Sequence, residues 1–300
     1  MNAQQLSRQT QFIFNTYSVN PAVAGTKTYT PFYASYRHQW AGFKEAPVTY
    51  SLSGHTALPN RVGIGGKLFH DDTGGAISKT GMELTGSYHV DLNNQDAVSF
   101  GLSAVVGQYR FDNNKLNVYH EDDPALSQGV EKNINFDANF GLMVYGLNYF
   151  FGFAIPNLIQ TNLGIEGVSE TQNENARHFH FMGSYLYYFN DDFAIQPSAL
   201  ARFTASSPVQ FDIYMKGVFQ EMFWGALVYR HKDAVAVALG VETSQFALGY
   251  SYDLTTTDAA NFSPHTHEIT LGYYLARKGT YFNEKSLLGP KRLERSRVVR

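Results

Sequence analysis

Apolar and polar residues alternate with a period of two along much of this chain, and this pattern restricts its fold more than any other feature. The alternation is clearest over residues 83–91, 135–145 and 211–219. In the first of these stretches, the polar positions are Glu83, Thr85, Ser87, His89 and Asp91. Because successive side chains of a β-strand point to opposite faces, each stretch is predicted to be a strand with one apolar and one polar face.

No stretch of the sequence is apolar over enough residues to predict a membrane-spanning helix. Such a helix needs about 18 to 20 consecutive apolar residues, and the richest apolar run is the short segment 149–155. Aromatic residues nevertheless reach 15%, while charged residues are only 16%, well below the roughly 25% of typical soluble domains. A closed barrel is the other structure that can cross lipid. We therefore predict an all-β, transmembrane outer-membrane β-barrel with its apolar face towards lipid.

We predict about fourteen antiparallel strands, and their order sets the two rims of the barrel. If the first strand rises from the periplasm, the periplasmic turns are short and most extracellular loops are long, as outer-membrane barrels show. An even strand number also returns both chain ends to the periplasm. The predicted strands lie near residues 29–40, 47–57, 61–70, 80–91, 96–111, 135–145, 147–155, 177–189, 193–204, 209–219, 222–230, 234–241, 244–252 and 266–276.

A soluble β-sandwich also alternates and is the competing interpretation of the fold. Aromatic residues close to predicted strand ends favour the barrel, because aromatic side chains concentrate at membrane–water interfaces. We interpret these residues as interfacial girdles. They are Tyr36 and Trp40, Tyr149 and Phe150, Tyr187 and Tyr188, Phe223 and Trp224, and Tyr273 and Tyr274.

The predicted strands divide the chain into three parts. Residues 1–28, of which 6–25 lack clear alternation, are predicted to form a periplasmic segment that caps or enters the lumen, with a mobile leader as the alternative. Residues 29–276 are predicted to form the barrel, and residues 277–300 a basic periplasmic tail. The tail has eight Lys or Arg and two Asp or Glu, so it is either a docking peptide or a solvated chain end. The chain has no cysteine, which suits the oxidising periplasm. We expect export through a signal peptide that this sequence does not include.

Three groups of motif residues resemble those of one protein family. The first group lies near the N-terminus and comprises Phe14, Asn15, Asn20, Pro21 and Gly25. The second lies in the first predicted hairpin and comprises Arg37, Gln39, Trp40, Gly42, Phe43, Pro47 and His55. The third lies near the last strands and comprises Tyr252, Asp253, His267 and Glu268. Over about residues 11 to 276, the chain resembles the PorP/SprF family of outer-membrane proteins from Bacteroidetes.

The resemblance implies a function that the composition alone does not predict. PorP/SprF proteins are non-enzymatic components of the type IX secretion and gliding motility machinery. The expected partners are outer-membrane lipid and either periplasmic ring or motor components or a large surface adhesin, whose export or anchoring the barrel supports. A passive outer-membrane porin with a partly open lumen is the alternative function.

Polar side chains on the predicted strands should face the lumen, because a charge facing lipid near the bilayer centre costs about 2 to 4 kcal/mol. They either line a gated pore or form an internal network that holds the barrel shut. Arg37 and Glu268 lie at corresponding ends of the first and last strands, so we predict that they interact at the barrel seam. The whole set is Arg37, Gln39, His55, Glu83, His89, Asp91, Asp137, Asp212, Lys216 and Glu268.

Metal and catalytic sites are weakly indicated. The pairs His178 with His180 and His265 with His267 share strand faces and can chelate zinc, but no third ligand follows at a known spacing. The acidic stretch 120–123 could hold calcium, or it is an ordinary loop. No nucleophile motif or phosphate loop is present. We therefore predict no enzyme activity, cofactor, metal or small-molecule substrate, and no nucleic-acid binding by a chain that is acidic outside its tail.

Overall fold

A computed structural model of the protein describes residues 10–93, 96–112, 115, 129–161, 176–204, 207–257 and 265–276. The predicted basic tail and the acidic stretch 120–123 lie outside these residues. No helix in the described ranges is long and apolar enough to cross a membrane. The strands are β1 Thr30–His38, β2 Val48–Ala57, β3 Val62–Asp72, β4 Ile77–Asp91, β5 Ala97–Asp112, β6 Val130–Tyr145, β7 Tyr149–Ile155, β8 His178–Tyr185, β9 Tyr187–Tyr188, β10 Phe193–Thr204, β11 Ser207–Phe219, β12 Phe223–Arg230, β13 Ala234–Glu242, β14 Phe246–Thr255 and β15 His265–Leu275.

Over the described residues, these segments form one closed antiparallel barrel of 14 strands, which confirms the predicted fold. Neighbours in sequence pair in space, and β15 pairs with β1 to close the seam, from Thr30 opposite Leu275 to His38 opposite His267. The segments β8 and β9 are two pieces of one strand, since both pair with β10. A single closed sheet excludes the two-sheet sandwich.

Side chains sort by position parity into an apolar exterior and a polar interior. On β4, Glu83 and Thr85 are buried while Leu84 between them is 59% exposed. On β6, Asp137 is buried while Phe136 is 63% exposed. The exposed apolar side chains form the wall that faces lipid, as an outer-membrane barrel requires.

The two rims differ in the length of their connections. The turn rim, as we call it, carries the connections 58–61, 92–96, 146–148, 189–192, 220–222 and 243–245, all short. The opposite rim, the loop rim, carries 113–129, 156–177 and 256–264, together with 39–47 and the shorter 73–76, 205–206 and 231–233. The contrast between the rims agrees with the expectation for an outer-membrane barrel.

Most predicted strands agree with those observed to within three residues, and two differ more. The strand predicted at 177–189 is interrupted at Leu186, whose backbone amide donates to the carbonyl of Asn148 in a neighbouring turn. The strand predicted at 135–145 begins earlier, at Val130. The sequence did not predict its first residues because Glu131, Lys132 and Asn133 are all polar. The alternation of apolar and polar residues is therefore absent from this part of the strand.

The interpretation of the aromatic pairs as girdles is only half right. Adjacent residues of a strand must point to opposite sides, so one member of each adjacent pair faces inward. Phe150, Trp224 and Tyr274 are buried in the lumen, whereas their neighbours Phe223 and Tyr273 are exposed on the wall.

Candidate functional site

The lumen of the barrel contains the N-terminal part of the chain, which we call the plug segment (residues 10–27). It includes two short 3-10 turns, Thr16–Ser18 and Pro21–Val23, and most of its side chains are buried. It enters at the turn rim, just before β1, and its other described end contacts residues near the loop ends of β1 and β15. The plug segment therefore runs along the lumen and does not merely cover one mouth.

Backbone groups of the plug segment near the turn rim bond to side chains of the wall. The carbonyl of Ala24 accepts from Ser87 Oγ at 2.7 Å and from His89 Nε2 at 2.9 Å. Because His89 Nε2 must carry the hydrogen for this bond, its Nδ1 accepts from the Tyr145 hydroxyl at 2.7 Å. The amide of Gly25 donates to His55 Nδ1 at 3.2 Å. The wall thus satisfies backbone groups of a segment that has no strand partner.

Asn20 joins the plug segment to the opposite wall. Its side-chain oxygen accepts from the amide of Ala22 at 2.9 Å and so caps the second 3-10 turn. Its amide nitrogen donates to the carbonyls of Leu142 on β6 and Phe153 on β7, each at 3.3 Å. One fully buried side chain therefore orders the turn and fixes it against two strands.

We expect Asn20→Ala to loosen the plug segment by about 1 to 3 kcal/mol, the usual cost of leaving buried polar groups without partners. Hydrogen exchange of the amides from Ala22 to Thr26 should accelerate accordingly, while exchange in the strands stays slow. Ser18→Ala is the matched control, because the Ser18 hydroxyl donates only within the plug segment, to the carbonyl of Asn15 at 2.7 Å. Equal exchange in both variants would contradict the anchoring role of Asn20.

Two glycines of the wall form a recess for the plug segment. Gly101 and Gly141 lie opposite each other on β5 and β6. A Cβ atom at Gly101 would lie 2.4 Å from the Ala22 nitrogen, and one at Gly141 would lie 2.1 Å from Asn20 Oδ1. Such distances are far inside van der Waals contact, so no side chain fits there while the plug segment is in place.

Aromatic side chains fill the lumen beside the plug segment. The Phe12 ring packs edge-on against Tyr214 with ring centroids 4.6 Å apart. Phe14 lies between Tyr33 and Trp224, with centroid distances of 5.5 and 5.6 Å. The indole of Trp224 also lies 5.0 Å from Lys216 Nζ, which places that predicted lumen cation over an aromatic ring.

A further contact lies beside β3 and β4, where Tyr17 reaches a buried ion pair. Its hydroxyl is 2.7 Å from Thr85 Oγ1, and Lys67 Nζ lies 2.9 Å from Glu83 Oε2 nearby. Tyr17 therefore joins the plug segment to β4 beside this ion pair.

The most charged part of the lumen is a cluster of buried ion pairs, which we call the arginine cluster. Arg37 contacts Glu268 and Asp253, each at 2.9 Å. Arg230 contacts Asp253 at 3.4 Å, and Arg202 contacts Asp212 at 2.7 Å. The arginine cluster consists of Arg37, Arg202, Arg230, Asp212, Asp253 and Glu268, and the less buried Asp233 also contacts Arg230, at 3.2 Å.

The plug segment completes the arginine cluster through its first two described residues. The amides of Thr10 and Gln11 donate to the two carboxylate oxygens of Glu268 at 2.8 and 3.1 Å. The Thr10 hydroxyl accepts from Arg37 and Arg230 and donates to Asp253 at 2.7 Å. Four strands, β1, β12, β14 and β15, and the plug segment therefore share one hydrogen-bond network, so removing the segment would leave several buried charges short of partners.

The structure places the residues singled out from sequence in three locations. The lumen contains Phe14, Asn15, Asn20, Pro21, Gly25, Arg37, His55, Glu83, His89, Asp137, Asp212, Lys216, Asp253 and Glu268. The loop between β1 and β2 contains Gln39, Trp40, Gly42, Phe43 and Pro47, so Gln39 does not lie on a strand face as predicted. The remaining three lie at the surface: Tyr252 and His267 on the outer wall, and Asp91 at the turn rim, paired with Arg61.

Sequence reasoning predicted an approach of Arg37 to Glu268 but missed the rest of the arginine cluster. Arg202 and Arg230 lie on inward faces of β10 and β12, and strand parity could have placed Arg230 in the lumen. No pattern in the sequence pointed to Thr10 or Gln11, because the plug segment has no periodicity.

The two histidine pairs considered for zinc have different surroundings. His178 and His180 face the lumen with ring centroids 6.3 Å apart, whereas His265 and His267 lie on the outer wall. Within the residues that the structure describes, no group of three or more His, Cys, Asp or Glu side chains is arranged to hold a metal ion.

The sequence matches a family model along almost its whole length. The model, for the type IX secretion system membrane protein PorP/SprF, matches residues 1–273. The chain belongs to the PorP/SprF family. No curated protein matches this PorP/SprF chain significantly.

Solved structures similar to this PorP/SprF protein are outer-membrane barrels. The CymD monoaromatic hydrocarbon channel matches with a TM-score of 0.52 and 11% identity, over 92% of this chain and 95% of that one. A FadL homologue from Pseudomonas aeruginosa matches with a TM-score of 0.45 and 9% identity, over 83% of this chain and 89% of that one. At such identities the likeness concerns the fold alone. The barrel and the family together indicate an integral protein of the outer membrane.

Proposed function

We propose that this protein is a non-enzymatic outer-membrane partner in type IX secretion, serving the export, anchoring or motor coupling of a large surface adhesin or secreted protein. The main support is the plug segment, which fills the lumen and which contains the family motif residues Phe14, Asn15, Asn20, Pro21 and Gly25. A lumen occupied in this way suits a barrel that binds other proteins better than one built for passive flow of solutes.

The proposed orientation puts the loop rim outside the cell and the turn rim in the periplasm. The contrast in loop length supports this direction, and the even strand number then puts both ends of the barrel at the periplasmic rim. It leaves the loop between β1 and β2, with Trp40, Gly42 and Phe43, at the cell surface. Phe43 is 51% exposed, so this family-motif loop offers an apolar contact for an extracellular partner. Export through a signal peptide belongs to the same proposal.

The decisive experiment is affinity capture of the full-length chain from the outer membrane of its own bacterium in a mild detergent. We expect a large surface protein or a periplasmic secretion component to copurify in near-stoichiometric amount. A second outer-membrane barrel, tagged and expressed to the same level, controls for nonspecific capture. Recovery of the same proteins with both baits would contradict the proposal.

Planar-bilayer recording separates this function from a passive porin. We expect the purified protein to conduct little, because the plug segment occupies the lumen and is tied to the arginine cluster. Stable, large conductance from the unmodified chain would favour the porin. Hydrolysis of phospholipid by the detergent-solubilised protein would instead contradict the non-enzymatic assignment.

A further inference from the structure

Several histidines lie on the outer wall of the barrel, close to the loop rim. We call them the histidine belt: His38, His70, His231, His265 and His267. They lie on or directly beside β1, β3, β12 and β15, with outward neighbours on β2 and β14, so the belt follows one side of the barrel across the seam. His38 and His267 are direct cross-strand partners. The other histidines that the structure describes, His55, His89, His178 and His180, are buried in the lumen.

The histidine belt is interleaved with tyrosines. Tyr36 and Tyr50 lie opposite each other with ring centroids 5.1 Å apart, and Tyr50 lies 6.2 Å from the His70 ring. The His231 ring stacks on Phe211 at 4.4 Å. These rings hold the imidazoles in place on the wall, so the histidines are parts of an ordered surface.

Four of the five belt histidines use the same ring nitrogen for an internal hydrogen bond. The Nδ1 atom of His70 is 2.7 Å from Thr80 Oγ1, that of His267 is 2.7 Å from the Tyr250 hydroxyl, and that of His231 is 3.4 Å from the Tyr229 hydroxyl. The Nδ1 atom of His265 bonds to the hydroxyl of Tyr252. In each case the partner is a hydroxyl group on the same outer face.

These contacts leave Nε2 as the ring nitrogen that faces outward. Because an imidazole nitrogen is a stronger acceptor than a hydroxyl oxygen, we assign the hydroxyls as donors to Nδ1, which leaves the hydrogen of the neutral ring on Nε2. Among the described residues, no group bonds to these four Nε2 atoms. The belt therefore presents a row of N–H donors to its surroundings without requiring a charged imidazole, and the ligand that suits it is a hydrogen-bond acceptor.

The height of the belt puts these donors near the loop-rim edge of the apolar band. His265 lies eight positions from Tyr273 on β15, which at about 3.3 Å per residue and a tilt of about 40° is roughly 20 Å along the membrane normal. His267 and its cross-strand partner His38 lie two positions nearer the turn rim, which is about 5 Å lower, so the belt lies towards the loop-rim end of an apolar band of about 25 Å. The outward aromatic residues at the turn rim, such as Phe189, Phe193, Phe246 and Tyr273, include no described histidine, so the two interfaces differ chemically.

We infer that the histidine belt is a binding surface for the phosphate groups of lipid A in the outer leaflet. Deprotonated phosphate oxygens are acceptors only and can each take an Nε2 hydrogen in a charge-assisted hydrogen bond. The choice of lipid A follows from the proposed orientation, which places the loop rim in the leaflet that lipid A occupies. The surface is distinct from the lumen and the arginine cluster.

Native mass spectrometry of the purified full-length chain tests this binding surface. The chain is equilibrated in mixed micelles with diphosphorylated lipid A or with the same lipid after enzymatic removal of its phosphates. We expect the diphosphorylated form to be retained at least about tenfold better. Equal retention of the two forms, or stronger retention of phosphatidylglycerol than of diphosphorylated lipid A, would overturn the inference.

Two variants show whether the histidines are responsible. Changing all five belt residues from His to Phe keeps aromatic side chains at the interface but removes the N–H donors, so the preference for phosphate should disappear. Changing the same residues to Gln keeps a donor near the position of Nε2 and should preserve part of the preference. Both variants must show the parental heat-dependent shift in gel mobility, which reports a folded barrel. A His-to-Phe variant that keeps the full preference would exclude the belt as the site.

Discussion

Replacing Gly141 with valine should expel the plug segment from the lumen and convert the closed barrel into a conducting one. Gly141 faces inward on β6, where a Cβ atom would lie 2.1 Å from Asn20 Oδ1 and 2.9 Å from the Ala22 nitrogen. Overpacking of this kind costs about 1 to 3 kcal/mol even where neighbours can move. Here the neighbouring atoms belong to a capped turn that cannot shift locally. We therefore expect the steric clash to displace the whole plug segment.

Two measurements should detect this displacement. Discrete channel openings should appear in planar bilayers where the unmodified chain conducts little. Because the protein has no cysteine of its own, a single Ala24→Cys substitution gives a unique label site at a position that is 0% exposed. In the Gly141→Val background this thiol should react with a maleimide at a greatly increased rate.

Gly86→Val is the matched control for this experiment. Gly86 lies on the outward face of β4, and a Cβ atom there would have no other atom within 4 Å. Its substitution adds the same side chain to a strand of the same barrel without touching the plug segment. If Gly141→Val leaves both conductance and labelling at the level of Gly86→Val, the plug segment does not close the lumen.

Arg37→Met should lower the free energy of unfolding by about 3 to 5 kcal/mol, the cost of removing one partner from a buried ion pair. The substitution leaves the carboxylate of Glu268, which is 1% exposed, without its arginine, and it removes a bond to Thr10. Of its two arginine contacts, Asp253 keeps only the longer one, with Arg230 at 3.4 Å. Urea titration of the refolded protein in lipid vesicles measures this loss, with Trp224 beside the plug segment as fluorescent reporter.

Two further variants test whether the loss of stability depends on burial of the ion pair or simply on removal of an arginine charge. Arg61 pairs with Asp91 at 2.7 Å, but its side chain is 46% exposed, so Arg61→Met should cost only about 0 to 1 kcal/mol. Adding Glu268→Gln to Arg37→Met removes the orphaned charge and should recover part of the loss. An equal effect of the Arg37 and Arg61 substitutions would show that the arginine cluster does not stabilise the barrel.

The wall of this barrel could be predicted because the direction of each side chain depends only on its position along its own strand. Each strand must be apolar towards lipid and polar towards the lumen, so parity alone placed Glu83, Asp137 and Asp212 inside. The same alternation places one residue of each adjacent aromatic pair in the lumen. The interpretation of Trp224 and Tyr274 as interfacial girdle residues is therefore wrong. Strand limits failed near the loop rim, where neither face contacts lipid and the alternation disappears.

The contents of the lumen could not be predicted in the same way. The plug segment is held by contacts with residues far along the chain, such as that of Asn20 with the carbonyl of Phe153, and no periodicity encodes them. Closure of the barrel made the approach of Arg37 to Glu268 predictable, since it follows from pairing of the first and last strands. Its extension to Arg230, Asp253 and Thr10 depends on side-chain reach within a confined space.

The bonds from Thr10 and Gln11 to Glu268 indicate when the plug segment is fixed during folding of the barrel. They join residues separated by 258 and 257 positions, and contacts of such long range form late, after the intervening chain is ordered. Their acceptor lies on β15, which follows the other described strands in the sequence. Thr10 and Gln11 therefore cannot be bound to Glu268 before β15 is in place, so these two bonds mark a completed barrel.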